Sequence, residues 1–197
     1  MQRYGNFRNF ASENNKFRHK TVQTSLRYNK IGILGPESSG KSTLSSHLAR
    51  HFGGTFIPEY AREYVSQLGR PYTYADVCHI AERNREEATY SASLFKAPVF
   101  FDTELIITKV WFQEVFGQCP GWLTSPIPKG CVMDYYLLLS PDIEWHADSV
   151  RENGNKERRE GLFNLYLREI ELTRSPYHII TGSGESRLQN AIGALLE

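Results

Sequence analysis

The sequence has few cysteines, no long apolar segment and almost no net charge. Its three cysteines, Cys78, Cys119 and Cys131, are widely spaced and form no Cys-x-x-Cys pair, so neither a disulfide framework nor a zinc site is expected. Apolar runs such as residues 135–139 are far shorter than the roughly 20 residues that cross a bilayer. No apolar segment follows the basic N-terminus, which argues against a secretory signal. We therefore expect a cytoplasmic protein that does not associate with membranes.

The net charge of +1 conceals two unlike parts of the chain. Residues 1–30 contain seven Lys or Arg and one Glu, a net charge of +6, which leaves −5 for residues 31–197. Residues 1–29 also lack apolar periodicity, and we expect a flexible basic tail there, followed by one domain over residues 30–197. The acidic balance of that domain argues against nucleic-acid binding. The sequence gives no signal for an oligomeric state.

Short apolar runs alternate with helical patterns along residues 30–197. This alternation predicts an α/β fold, with a parallel five-stranded sheet that carries helices on both faces. A polar segment after the fourth strand is expected to form a lid. The predicted strands are 31–34, 55–57, 98–101, 135–139 and 177–181. The predicted helices are 42–52, 58–68, 74–95, 104–116, 158–172 and 185–196.

A glycine-rich motif joins the first predicted strand to the first predicted helix. The residues GPESSGKS at 35–42 fit the phosphate-loop pattern G-x-x-x-x-G-K-[ST]. Backbone N–H groups and the helix N-terminus would bind the phosphates, Lys41 would reach the β- and γ-phosphates, and the Ser42 hydroxyl would bind Mg²⁺. The expected cofactors are therefore ATP and Mg²⁺. The residues predicted to bind them are Gly35, Glu37, Ser38, Ser39, Gly40, Lys41, Ser42 and Thr43.

Two carboxylates follow predicted strands at the edge where ligands bind in open α/β sheets. Asp102 comes directly after the third strand, where it could face Mg²⁺ or accept a proton from a substrate hydroxyl. Glu59 follows the second strand, with Arg62 one helical turn further on. Each also has a purely structural interpretation, since Asp caps helices well and Glu suits a first helical turn. Glu104 is a weaker candidate than Asp102.

Three arginines follow the fourth strand in the polar lid segment. Arg151, Arg158 and Arg159 could stabilise the charge of a transferring phosphoryl group and exclude water, although a solvated charge run would look the same. No Asn-Lys-x-Asp sequence follows a strand, and this absence favours ATP over GTP.

Four segments together resemble the ribosylnicotinamide kinase domain of NadR-type proteins, a group of AAA-type ATP-binding proteins. The segments are GPESSGKSTL at 35–44, PEYAREYV at 58–65, FFDTELIITKVW at 100–111 and LLLSPDIEWHADSVR at 137–151. The resemblance covers residues 30–197 and implies a P-loop kinase fold. It also implies transfer of the ATP γ-phosphate to the 5′-hydroxyl of nicotinamide riboside, giving nicotinamide mononucleotide.

The resemblance assigns roles to residues by their position. Lys41, Asp102, Glu59, Arg151 and Arg159 are the implied catalytic residues, and Ser42 and Asp102 would hold Mg²⁺. The lid would contain Trp145, Asp148, Arg151 and Arg159. The residues implied to bind the nucleoside are Glu59, Tyr60, Arg62, Asn84, Asp102, Glu104 and Trp145.

Two alternatives stay open at this point. Pro58 and Asn84 depart from the pattern of the family, which leaves room for a different nucleoside or vitamin as acceptor. The chain could also be a regulatory ATP-binding module that uses its basic tail to contact a partner. Against this, an acidic domain suits the positively charged pyridinium ring of nicotinamide riboside.

Overall fold

One parallel sheet organises the computed structural model, which describes residues 26–95, 97–124, 126–143 and 156–197. Its strands lie in the order β2-β3-β1-β4-β5, and every neighbouring pair is parallel. The strands are β1 Lys30–Leu34, β2 Thr55–Ile57, β3 Val99–Asp102, β4 Tyr135–Leu139 and β5 Tyr177–Ile180. The helices are α1 Lys41–Phe52, α2 Tyr60–Gln67, α3 Tyr74–Leu94, α4 Leu105–Phe116, α5 Lys156–Thr173 and α6 Gly184–Leu196. Short 3₁₀ turns occupy Gly121–Leu123 and Lys129–Cys131.

The predicted α/β architecture is confirmed, because helices cover both faces of the sheet. On one face, α1 and α6 pack against alternate side chains of the strands, such as Ile31 and Leu137. On the other face, α3, α4 and α5 pack against side chains such as Phe101 and Leu138. Both faces of the central strands are therefore buried, which explains why these strands have continuous apolar sequences. No helix within the described residues has the length and apolar character that a membrane span requires.

The strand register brings several loops to one edge of the sheet. In the pairing of β1 with its neighbours, Ile33 lies opposite Asp102 and Leu34 lies opposite Leu138. Ile57 at the end of β2 lies opposite Phe101. The segments that follow β1, β2 and β3 therefore leave the sheet side by side, at its carboxyl edge, where ligands bind in open parallel sheets.

Residues just before the predicted domain boundary pack against the core. Leu26 and Tyr28, which the sequence analysis placed in the tail, pack against the core, and the ring of Tyr28 lies 4.5 Å from that of Tyr135. The Asn29 carbonyl also accepts a 2.7 Å hydrogen bond from the Val99 N–H. The remainder of the predicted tail, residues 1–25, lies outside the described residues.

Candidate active site

The phosphate loop connects β1 to α1 with backbone angles that its glycines allow. Gly35 has φ 153°, and a Cβ atom there would lie 2.7 Å from the Ser39 Oγ. Gly40 has φ 83° and occupies the N-cap of α1, where no side chain bonds to the first turn. Ser38 also has a positive φ, 58°. Left-handed residues of this kind direct successive N–H groups to one side of the loop, which forms a binding site for anions.

Lys41 is the first residue of α1 and lies across the loop. Its Nζ donates hydrogen bonds to the carbonyl oxygens of Gly35 at 2.8 Å and Pro36 at 3.0 Å. Its ammonium group therefore lies inside the curve of the loop, where a phosphate group would accept hydrogen bonds from the backbone N–H groups of the loop. This placement agrees with the phosphate-binding role expected from the motif.

A cavity of about 870 Å³ extends from the phosphate loop across the carboxyl edge of the sheet. At one end, every residue from Glu37 to Thr43, together with Gly35, lines the wall. At the other end, Tyr72 and Trp111 line the wall, with their rings edge to face at 4.9 Å. The volume is in the range found for sites that enclose small ligands. One continuous cavity therefore combines an anion-binding end with an aromatic end.

Asp102 and Glu59 lie near each other beside Lys41. Asp102 ends β3 and is 1% exposed, and its carboxylate accepts hydrogen bonds from the Ser42 hydroxyl and the Glu59 N–H. Its Oδ1 has no hydrogen-bond partner among the described residues. Burial raises the pKa of both Asp102 and Glu59, and the charge of Lys41 opposes that rise in each case.

The neighbouring oxygens of Ser42 and Asp102 fit Mg²⁺, which prefers hard oxygen ligands and a small number of protein groups. The partnerless, buried Oδ1 of Asp102 supports this assignment, since a buried carboxylate oxygen without a donor is rare. Among the described residues, there is no cluster of three or more His, Cys, Asp or Glu that could hold a metal without help from phosphate oxygens.

The arginines near the cavity have different surroundings. Arg62 lines the cavity from α2, and Arg158 lines it from α5 while forming a 2.7 Å ion pair with Glu114. Arg159 is 4% exposed and does not line the cavity. Its Nε donates to the Glu37 carbonyl at 3.1 Å and its Nη1 to the Ile143 carbonyl at 2.9 Å. Burial lowers the pKa of Arg159.

Four of the residues predicted to bind the nucleoside do not line the cavity: Asp102, which is buried beside Ser42, and Glu104, Asn84 and Tyr60. Glu104 is the N-cap of α4, and its Oε1 accepts a 3.0 Å bond from the Ile106 N–H. Asn84 is buried against α4, where its Oδ1 accepts a 2.7 Å bond from the Thr108 hydroxyl. The Tyr60 hydroxyl lies 2.9 Å from His79 Nε2 at the surface between α2 and α3. The side chains of Glu104, Asn84 and Tyr60 each make a local contact away from the cavity wall. Their role in binding the nucleoside stays a prediction.

Trp145, Asp148 and Arg151 of the predicted lid lie outside the described residues. Their implied roles stay predictions.

Sequence reasoning missed the aromatic end of the cavity. Ile107, Trp111 and Glu114 all line it, at a spacing that places them on one face of α4. This helical spacing was available in the sequence, but an apolar stripe on a helix is normally assigned to the core. Tyr72, in the connection between α2 and α3, belongs to no motif.

Thr103, which also lines the cavity, was missed for a different reason. It has φ 77°, a conformation that a β-branched residue rarely adopts. Its hydroxyl is buried and has no hydrogen-bond partner among the described residues. Neither property can be seen in the sequence.

Comparison with known proteins identifies the family and the fold of the chain. A family model described as an AAA domain matches residues 30–187, which is most of the chain. The chain belongs to this AAA domain family. This assignment confirms the AAA-type family that the resemblance of the four sequence segments implied.

Curated relatives confirm the resemblance to NadR-type proteins. The chain is 31% identical over 145 residues to a protein of Escherichia coli named trifunctional NAD biosynthesis/regulator protein NadR. It is 30% identical over 145 residues to the protein of the same name from Salmonella typhimurium. Each match covers 72% of this chain and 35% of the relative, so the chain corresponds to about a third of these longer proteins.

Solved structures share the fold of the AAA domain described here. A NadR protein in complex with NR aligns with a TM-score of 0.65 at 23% identity, covering 85% of this chain and 50% of that one. A deoxyadenosine kinase from M. mycoides with bound dCTP aligns with a TM-score of 0.54 at 13% identity, covering 85% and 98% of the two chains. These structures show that the chain has the fold of a P-loop kinase.

Proposed function

We propose that this protein is an ATP-dependent kinase that phosphorylates the 5′-hydroxyl of nicotinamide riboside. The single observation that carries the proposal is the continuous cavity that joins the phosphate loop, by way of Glu59 and Thr103, to the rings of Tyr72 and Trp111. A kinase needs a phosphate donor site and an acceptor site that meet at the reacting atoms. The curated relatives named for NAD biosynthesis and the NR complex of a related fold support this choice of acceptor.

The aromatic end of the cavity suits a nucleoside with a positively charged base. Aromatic faces attract cations, and the contact strengthens when it is shielded from water. Tyr72 and Trp111 present such rings, and Glu59 and Glu114 supply carboxylates to the same cavity. Glu114 is already paired with Arg158, which leaves Glu59 as the carboxylate better suited to the pyridinium charge or to the ribose hydroxyls.

The reaction proposed for this cavity transfers one phosphoryl group. The 5′-oxygen of the nucleoside attacks the γ-phosphorus of ATP, the bond between that phosphorus and the β,γ-bridging oxygen breaks, and ADP leaves. In this proposal Asp102 accepts the hydroxyl proton, and Glu59, which lines the cavity beside it, orients the acceptor. Lys41 and the loop N–H groups stabilise the charge on the phosphates. Mg²⁺, when bound at Ser42 and Asp102, would neutralise part of the phosphate charge.

The experiment that tests this proposal is an ADP-release assay on the purified full chain with Mg-ATP and a panel of nucleosides. We expect nicotinamide riboside to give the highest kcat/KM, and Lys41→Ala to abolish turnover. Lys129→Ala provides a matched control, because Lys129 is exposed in a 3₁₀ turn and does not line the cavity. ATP binding without stimulation by any nucleoside would refute a kinase function. Stronger stimulation by adenosine or deoxyadenosine than by nicotinamide riboside would show that the acceptor is an adenine nucleoside.

A further inference from the structure

Arg187, from the first turn of α6, is buried behind the phosphate loop and reaches three loops at once. It is 3% exposed, and its Nη1 donates to the Ser39 carbonyl at 2.5 Å. Its Nε donates to the Gly182 carbonyl at 2.6 Å, and its Nη2 to the Ser140 carbonyl at 3.2 Å. The Nη2 also pairs with Asp142 Oδ1. One guanidinium group therefore connects the loops that follow β1, β4 and β5.

Asp142 fixes the guanidinium of Arg187 in place. While its Oδ1 pairs with Arg187, its Oδ2 accepts a 2.7 Å bond from the Gly182 N–H. The carboxylate thus joins the same two loops, β4 to α5 and β5 to α6, that Arg187 contacts. With nearly all of its donors engaged in fixed directions, Arg187 has little freedom to turn away from the phosphate loop.

Two carbonyl groups of the phosphate loop, separated by one residue, accept hydrogen bonds from buried arginines. Arg187 binds the carbonyl of Ser39, and Arg159 binds the carbonyl of Glu37. In a planar trans peptide, the C=O and the N–H of the same unit point in opposite directions. Holding the carbonyls of Glu37 and Ser39 therefore directs the N–H groups of Ser38 and Gly40 away from the arginines. Both Ser38 and Gly40 line the cavity.

We propose that Arg187, assisted by Arg159, is a positioning residue that sets the anion-binding conformation of the phosphate loop through its backbone carbonyls. Arg187 does not line the cavity, so it acts through the loop and not by touching the phosphates. The inference rests on the ATP-binding part of the proposed function and is independent of the identity of the acceptor. The glycines of the motif permit the anion-binding conformation of the phosphate loop, and the hydrogen bonds from the two arginines stabilise it.

The test measures phosphate binding separately from stability. Dissociation constants for Mg-ATP and for inorganic tripolyphosphate would be measured calorimetrically on the full chain, well below its melting temperature. For Arg187→Met we expect both affinities to fall by about tenfold or more, which is the loss expected for charged hydrogen bonds. Arg187→Lys should restore part of that affinity, because an ammonium group can still donate to one carbonyl. The KM for the acceptor should stay unchanged.

Lys109→Met is the matched control for loss of stability. Lys109 forms a buried ion pair with Glu169 at 2.6 Å, between α4 and α5 and away from the phosphate loop. Its replacement should lower the melting temperature while leaving the affinity for tripolyphosphate at the wild-type value.

Three outcomes would count against the proposal. Wild-type affinity for tripolyphosphate in Arg187→Met, with a lowered melting temperature, would show that the guanidinium only stabilises the fold. If Arg187→Met does not fold, Arg187→Lys decides the question. Its affinity should stay below that of the wild type, because an ammonium group cannot reproduce all the directed hydrogen bonds of the guanidinium, and full wild-type affinity would overturn the proposal. A wild-type chain that binds neither Mg-ATP nor tripolyphosphate would refute the proposed function together with this inference. Equal binding by the wild type and the variant would refute the inference alone.

Discussion

At the scale of single residues, the site depends on the different orientations of three consecutive residues at the end of β3. Asp102 faces Ser42 and Glu59, Thr103 adopts a left-handed backbone, and Glu104 turns back to cap α4. A sequence of three polar residues offers no way to tell which of them faces a ligand. Its position after an apolar strand led us to expect that Asp102 faces Mg²⁺ or a substrate hydroxyl. The direction of Glu104, by contrast, follows the left-handed backbone of Thr103.

Asp102→Asn tests the assignment of the base. The amide keeps the shape of the side chain and can still accept hydrogen bonds, but it cannot accept the proton of the acceptor hydroxyl. We expect kcat to fall by about 100-fold or more, with a smaller loss of Mg-ATP affinity because the amide oxygen is a weaker ligand for Mg²⁺ than the carboxylate. Steady-state kinetics and calorimetry measure the two effects. Asp134→Asn is the control, because Asp134 bonds to backbone N–H groups at the amino edge of the sheet, opposite the cavity. A near-normal kcat in Asp102→Asn would contradict this assignment and would favour Glu59 as the base.

Thr103→Gly tests whether the turn after β3 is strained. A non-glycine residue held in a rarely populated backbone region costs about 1–3 kcal/mol, while added glycine flexibility costs roughly 0.5–1 kcal/mol. Because the substitution also removes a buried hydroxyl without a partner, we expect the free energy of unfolding to rise by about 1 kcal/mol. Chemical denaturation would measure this change.

Thr89→Gly is the contrasting variant, since Thr89 lies inside α3, where the lower helix propensity of glycine should lower stability by roughly 0.5 kcal/mol. A similar loss of stability in Thr103→Gly would contradict the idea of strain at that position.

At the scale of elements, the sequence predicted more than it did for side chains. Each observed strand lies within one residue of its predicted range at either end, because apolar runs such as 135–139 are bounded by polar residues and turns. Helix starts such as that of α3 follow from local chemistry, since Thr73 and Asp76 form a capping box. The aromatic end of the cavity could not be predicted, because it depends on how α4 packs beside the connection that carries Tyr72.

The cap of α4 predicts a pH dependence of stability. Burial raises the pKa of Glu104 to about 8, with Glu169 adding to the rise and Lys30 opposing it. Glu104 is therefore neutral in the folded state over a pH range in which it is ionised in the unfolded state. Its contribution to stability is fully present below about pH 4.5 and is lost as the pH rises toward 8.

Glu104→Gln should remove this loss, because the amide retains a capping oxygen but cannot ionise. We expect the variant to match the wild type near pH 4.5 and to exceed it by a few kcal/mol near pH 8, since one pKa unit corresponds to about 1.4 kcal/mol. Urea denaturation at both pH values measures the difference. Glu160→Gln, on an exposed ion pair of α5, should change stability little at either pH. A constant difference between Glu104→Gln and wild type across this range would rule out titration of Glu104.

At the scale of the whole molecule, the cavity and the first described residues lie at opposite edges of the sheet. The phosphate loop and the carboxylates lie at the carboxyl edge of the sheet. The first described residues, 26–28, pack beside Tyr135, which begins β4 at the opposite edge. Because the described chain begins at the edge opposite the cavity, we expect catalysis to be independent of residues 1–25.

Removal of residues 1–25 tests whether that segment takes part in catalysis. We expect kcat/KM for ATP and for the acceptor to stay within about twofold of the full chain. Removal of residues 1–28 should lower the melting temperature by roughly 2–4 °C, because it also takes away the ring contact of Tyr28 with Tyr135. Enzyme assays and thermal scans of both truncated chains measure these effects. Loss of turnover on removing only residues 1–25 would instead favour a chain whose activity depends on its basic segment.

The central claim is that one cavity transfers phosphate from ATP to a nucleoside with a cationic base. Its most direct test is identification of the product formed by the full chain from Mg-ATP and nicotinamide riboside, by phosphorus NMR and mass spectrometry. The account predicts one ADP and one nicotinamide riboside 5′-phosphate for each ATP consumed. Tight binding of Mg-ATP with no phosphorylated nucleoside formed would contradict it.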